Sequence, residues 1–270
     1  MRAPLPESFD PEILKRTPVE PRLAATVVVT RDGEHGLETY LMRRQATMAF
    51  GAGQFVFPGG GMEDSDADLD VPWVGPPPAV WAQRFGCDER TAKGLVTAAV
   101  RETFEETGVL LAGPDEHTVV GDTSGDDFAG TRDALEKSEI SFADFLRARG
   151  LVMRADLLGA WAHWITPSTA PRRFDTHFFV ALLPEGQTVG TMSGEADKAG
   201  WLTLTEAIAA VDAGEMSMMP PTLHTCREIV QHAPSELLAA AAQRTIRTVE
   251  PRVVEHEGRY YLQSDIEDEA

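Results

Sequence analysis

Runs of apolar and polar positions divide the chain into strands and helices before any residue takes on a role. Residues 22–30, RLAATVVVT, are apolar and β-branched and predict a buried strand. Residues 38–44, ETYLMRR, predict its partner across the polar turn RDGEHG. A short strand over 54–57, QFVF, is stopped by PGGG. Residues 62–87 mix acids, prolines and the tryptophans Trp73 and Trp81, a composition that predicts a loop-rich insertion. Thr91 is placed to cap a helix over 92–107, AKGLVTAAVRETFEET, that stops at Gly108. Leu95, Ala98, Ala99, Thr103 and Phe104 recur along it at helical spacing and give it an apolar face.

Downstream, residues 131–150 predict a helix broken near Ser141. Segments 157–167 and 173–184 predict paired strands, and 198–204 a further strand. Helices are expected over 205–214, 220–233 and 235–243, then a hairpin over 252–263 turning at Glu257-Gly258. Strands mixed with helices, with no internal repeat, imply a layered α/β (α+β) domain. The expected organisation is an irregular arm over 1–20, a main domain over 21–215 with an insertion near 67–93, and an extension over 216–270 packed on it.

One stretch departs from ordinary amphipathic design. VRETFEETGVLL, residues 100–111, places Glu102, Glu105 and Glu106 at i, i+3 and i+4 on the last turns of the predicted helix. They crowd one side, at a helix end where the backbone dipole is already negative. Like charges about 4 Å apart repel by about 4 kcal/mol at an effective dielectric near 20. An acidic run is usually a solvated face, so context must decide. Arg101 offsets part of the repulsion; a divalent cation would offset more, and carboxylates suit Mg²⁺ or Mn²⁺. FVFPGGG, residues 55–61, adds a strand end whose glycines let backbone approach an ion or ligand.

Together these segments resemble the Nudix hydrolases, whose box reads G, five residues, E, seven residues, then R-E-apolar-x-E-E-x-G-apolar. RETFEETGV, Arg101 to Val109, matches the second half, and GGMEDSD, from Gly60 behind Pro58-Gly59, matches the first. Asp66 stands where the family has its first glutamate. Thirty-four residues separate Asp66 from Arg101, where the box has seven, so 27 are inserted. That spacing does not mark Asp66 as a structural partner of Arg101. Split boxes of this kind are similar to a branch related to peroxisomal coenzyme A diphosphatases, as are PRRFDTHFFVA and GEADKAGWL. RRQATMAFGAGQFVFPGG partly resembles that branch's coenzyme A motif, with Arg44, Gly53 and Phe57 through Gly60 fitting and Gln45 and Ala49 departing.

The resemblance implies an αβα sandwich with a mixed sheet and hydrolysis of a diphosphate linkage. Glu105 and Glu106 would ligate Mg²⁺ or Mn²⁺, with Glu102 as a further ligand or as the base. Arg101 would orient Glu102, and the carbonyl of Gly59 or Gly60 would complete the coordination. Glu195, on a distal loop, is a candidate ligand or base. Phosphate-gripping cations are sought in two pairs, Arg43 with Arg44 and Arg172 with Arg173. His163 and His177 lie on apolar strands and are read as packing residues; Trp161 and Trp164 are read as core, with base stacking as the alternative. The implied substrate is coenzyme A or acyl-coenzyme A. ADP-ribose, NADH or a nucleotide sugar is the alternative within the enzyme class, and a non-catalytic nucleotide-binding module the alternative outside it. The insertion, with Trp73, Trp81 and Phe85, is a candidate cover for an acyl-pantetheine arm.

Charge and cysteine usage narrow the setting. Against 24 Lys and Arg stand 43 Asp and Glu, a net charge of −19, which argues against nucleic-acid and anionic-membrane partners. An anionic substrate then needs a metal or local arginines. Cys87 and Cys226 form neither a metal motif nor a disulfide framework. With no apolar leader and no run of about 18 apolar residues, the expected setting is cytoplasmic; a homodimer is left open.

Overall fold

The computed structural model describes residues 2–5, 10–47, 51–190 and 196–265. In chain order the strands and helices are β1 (Arg2–Pro4), β2 (Arg22–Gly33), β3 (Gly36–Arg44), β4 (Phe55–Val56), β5 (Gly59–Gly61), α1 (Asp64–Ala67), β6 (Trp73–Val74), α2 (Pro78–Phe85) and α3 (Glu89–Thr107). They continue with β7 (Ala112–Gly113), α4 (Asp126–Glu136), α5 (Phe142–Ala148), β8 (Val152–Arg154), β9 (Gly159–Ile165), β10 (Phe174–Leu182), β11 (Ala196–Thr203) and α6 (Leu204–Asp212). Last come α7 (Pro220–Ile229), α8 (Leu237–Gln243), β12 (Thr248–Val249), β13 (Arg252–His256) and β14 (Arg259–Gln263).

Successive side chains of a strand point to opposite faces, so a strand apolar at every position must be buried on both. VVV in β2 does this. Val27 and Val29 enter one core cluster with α2 and α3, while Val28 enters another with α6, α7 and α8. β10 repeats the split, with Phe179 and Ala181 on one side and Phe178 and Val180 on the other. The result is the expected αβα sandwich. Its mixed sheet runs β11-β3-β2-β10-β9-β12, with β4 paired to β3 and β5 to β2. β10 lies parallel to β2 and antiparallel to β9.

The insertion is folded rather than loop-rich. The prolines of GPPPAVW start α2, where a missing N–H costs nothing, and α2 buries Trp81, Ala82 and Phe85 in the first core cluster. Those aromatics pack against the body of the domain, so Trp81 and Phe85 do not cover a substrate arm. α3 begins earlier than expected because Asp88, not Thr91, is its cap. The Asp88 carboxylate accepts from the Thr91 N–H at 2.9 Å and from the Thr91 hydroxyl at 2.7 Å. The break near Ser141 is present, with Ser141 capping α5. The ends of the chain meet in a small sheet ordered β1-β14-β13.

Candidate active site

Helix α3 ends at Gly108, whose φ of 79° is open to glycine without strain. Its last two turns face the β4–β5 bend. Arg101 is buried there and makes a two-pronged contact with Asp66, Nε to Oδ1 and Nη2 to Oδ2, both 2.9 Å. Its Nη2 also donates to the Gly61 carbonyl at 2.9 Å, and Nη1 to Glu102 Oε1 at 2.8 Å and to the Glu105 carboxylate at 3.4 Å. Asp66 is therefore the structural partner of Arg101. The inserted residues loop out and return, so distance along the chain is not distance in space. Burial alone would lower the Arg101 pKa; the hydrogen bonds it donates to Asp66 and the charges of Glu102, Asp66 and Glu105 overturn that and raise it.

The glycines are required by contact. The Gly59 N–H donates to Glu106 Oε2 at 2.7 Å. A Cβ on Gly60 would stand 2.5 Å from Glu102 Oε1, and one on Gly59 would stand 2.4 Å from the Ala25 carbonyl oxygen. A cavity of about 230 Å³ lies between bend and helix, lined by Gly59 to Gly61, Glu63, Arg101, Glu102, Glu105 and Glu106, and by Glu136 and Ser138 from the end of α4. Glu63 and Glu136 escaped the sequence reading. Glu63 had a signal, lying two residues past the glycines; Glu136 had none. Arg132 of α4 secures the helix end by donating Nε and Nη2 to the Glu105 carbonyl at 3.0 and 2.9 Å.

Burial raises the Glu105 pKa from 4.5 to about 7, against the pull of Arg101 and with a further push from Glu102. Its folded pKa lies above its unfolded one, so between them the unfolded state binds fewer protons. Metal-free stability should therefore fall as pH rises from about 4.5 through about 7. A divalent cation held by this carboxylate would compete with that proton. The melting-temperature gain on adding Mn²⁺ should be largest above about pH 7 and smallest below about pH 4.5, as thermal scans across that window would read. The donor set fits such a cation, being carboxylates and backbone carbonyls around one cleft.

The same glycines border a second cavity of about 470 Å³, lined mainly by apolar side chains and by Arg44 and Arg172. Their neighbours turn elsewhere. Arg43 pairs with Asp197 across β3 and β11 at 2.7 and 3.1 Å. Arg173 is buried and donates to the Thr166 and Val19 carbonyls and to Glu250 Oε1 at 2.9, 2.8 and 2.6 Å. Neither lines either of these two cavities. Glu195 lies outside the described residues. Trp161 is core, its Nε1 donating to Glu228 Oε2 at 3.0 Å, whereas Trp164 lines the second cavity.

Among the described residues, His163, Asp175 and His177 bring ligand atoms within 4.8 Å of one another. The histidine rings, however, stack at 3.9 Å and 16°. Imidazole lone pairs lie in the ring plane, so these run side by side rather than converge on one ion. His163 Nε2 instead meets Asp175 Oδ1 at 2.5 Å, and Thr248 Oγ1 meets His163 Nδ1 at 2.9 Å. Burial lowers the His177 pKa to about 3 and holds it neutral. The group ties β9, β10 and β12 together.

A family model described as the NUDT19 Nudix domain matches residues 92–229. The acyl-coenzyme A diphosphatase NUDT19 of Xenopus laevis is 25% identical over 232 residues, covering 73% of this chain and 60% of that protein. Human acyl-coenzyme A diphosphatase NUDT19 is 26% identical over 232 residues, covering 73% of this chain and 62% of that protein. The chain thus spans less than two thirds of each of these relatives. The crystal structure of a Nudix hydrolase from Alicyclobacillus acidocaldarius superposes with a TM-score of 0.72 at 29% identity, covering 85% of this chain and 99% of that one. No described helix is long and apolar enough to cross a membrane.

Proposed function

Because the chain belongs to the NUDT19 Nudix domain family, we propose that it is a Mg²⁺- or Mn²⁺-dependent hydrolase of the diphosphate linkage in coenzyme A or acyl-coenzyme A. One observation carries this reading: an acidic cavity and an apolar cavity holding two arginines share the Gly59–Gly61 bend. A substrate with a diphosphate between two different organic moieties fits that junction. The printed names of the relatives from Xenopus laevis and Homo sapiens favour an acyl-coenzyme A.

In this reading Glu105, Glu106 and the carbonyl of Gly59 or Gly60 hold the cations, with Glu102 as a further ligand or as the base. When bound, divalent cations screen the diphosphate and lower the pKa of water. Glu102 is held at 2.8 Å by Arg101, itself fixed by Asp66, so Glu102 is oriented before substrate arrives. Water oxygen bonds to phosphorus, the anhydride P–O bond breaks, and the water proton passes to a carboxylate, Glu102 or Glu195. Arg44 and Arg172 supply positive charge from the other cavity to an otherwise acidic protein. Two unpaired thiols, Cys87 half-buried and Cys226 buried, support a reducing, cytoplasmic setting.

A substrate panel with Mg²⁺ and with Mn²⁺, products identified by mass spectrometry, tests this. Release of 3′,5′-ADP with phosphopantetheine or its acyl form is expected. AMP as the main product would redirect the assignment to ADP-ribose, NADH or nucleotide sugars, and ligand binding without turnover would make the chain a binding module.

A further inference from the structure

The apolar cavity is walled in part by residues that follow the family match. Met219 to Thr222 at the start of α7 line it, as do Pro251, just before the C-terminal hairpin, and Leu262 within the hairpin. The hairpin lies past residue 229, where the matched segment ends. From this we propose that the C-terminal hairpin, through Leu262, gauges the length of the acyl chain that the enzyme accepts. The proposal rests on the diphosphatase reading above and assigns the apolar cavity to the acyl end of the thioester arm.

Lining chemistry favours that occupant over a nucleobase. Among the described residues, the cavity's lining includes no Asn, Gln, Asp, Glu, Lys or Ser; the polar side chains are two arginines, four threonines and Trp164 with its indole N–H. A buried base edge needs several matched donors and acceptors, and each left unpaired is costly. An alkyl chain needs none and gains from every methylene it buries. Continuity supplies the second argument. The cavity includes the Gly59–Gly61 bend, so a substrate with its diphosphate at the bend directs its next moiety, the pantetheine arm, into it, with the acyl chain following at the end of that arm.

The wall is also built to hold its position. Leu262 lies on the middle strand of the small sheet, facing Ala3 on one side and Val253 on the other. Just before the hairpin, Thr248 and Val249 pair with His163 and Trp164 of the main sheet. Arg173 joins Glu250 to the Val19 carbonyl and so binds both chain ends beside the cavity. This explains why Arg173 is buried and engaged while its neighbour Arg172 lines the cavity. A fixed wall sets a definite length, which a mobile flap would not.

The test uses the full chain with Mn²⁺ and saturated acyl-coenzyme A substrates from acetyl to palmitoyl. In the unmodified protein, kcat/KM should rise by about threefold to fourfold per methylene while the chain still fits, then level off or fall. Leu262→Ala should move that break to longer chains, and Leu262→Phe to shorter ones. Either variant alone reads the effect if the other does not fold, as circular dichroism reports. Identical chain-length profiles in the unmodified protein and a folded variant would overturn the gauge while leaving the diphosphatase reading intact. A rate independent of chain length throughout would also overturn it, placing another part of the substrate in the cavity. Absence of hydrolysis of every coenzyme A substrate by the unmodified protein would overturn both.

Discussion

Glu105→Gln is expected to lower kcat by about 10²- to 10⁴-fold while leaving the metal-free protein more stable than before. The two halves of this expectation have one cause. Glu105 is partly buried beside Arg101, Glu102 and Glu106, and desolvation raises its pKa to about 7. Above that pH the fold holds a desolvated negative charge beside another, and the neutral amide removes it. What stability gains, metal binding loses, because an amide is a weaker ligand for a hard cation and brings no charge. Glu106→Gln should lower kcat comparably without the same gain, since the Gly59 N–H at 2.7 Å supports its carboxylate. Turnover assays beside denaturant titrations in chelator check both. Near-normal turnover in both variants would remove these residues from the metal site.

Asp66→Ala should act in the opposite sense, lowering unfolding free energy by about 3–5 kcal/mol. It leaves the Arg101 guanidinium buried without its two-pronged partner, and deletes the acceptor at 2.9 Å for the Glu63 N–H that closes the first turn of α1. Arg101 keeps Glu102 and the Gly61 carbonyl, which places the cost at the lower end of that range. Turnover should fall as well, because Glu102 loses a fixed Arg101. Replacing Asp66 and Arg101 together by leucine removes the buried pair but leaves Glu102 and Glu105 without their cation, so it should cost at least as much stability as Asp66→Ala. Equilibrium unfolding in urea measures both stabilities. A loss under about 1 kcal/mol for Asp66→Ala would mean that the pair contributes little.

These two residues also mark where the sequence was legible and where it was not. The doubly buried strands were readable because an uninterrupted VVV has no polar face. The acidic helix end was readable because three glutamates and a terminal glycine carry their own periodicity. The Asp66–Arg101 contact was hidden by the intervening residues, whose prolines and acids suggest a loop although Trp81 and Phe85 bury themselves in the core. The pair Arg43 and Arg44 is divided for a simpler reason. Adjacent side chains on a strand point to opposite faces, so Arg44 lines the apolar cavity while Arg43 reaches Asp197. Doublets could nominate the positions without saying which member faces inward. Glu136 reaches the acidic cavity only through the packing of α4 against α3, which no local pattern encodes.

The most direct test of the metal-centred reading is an anomalous-difference map from crystals of the full chain grown with Mn²⁺. The account predicts manganese between the Glu105 and Glu106 carboxylates and the carbonyl of Gly59 or Gly60, with none at the stacked His163–His177 pair. Manganese at His163, Asp175 and His177, with the glutamates unliganded, would contradict it.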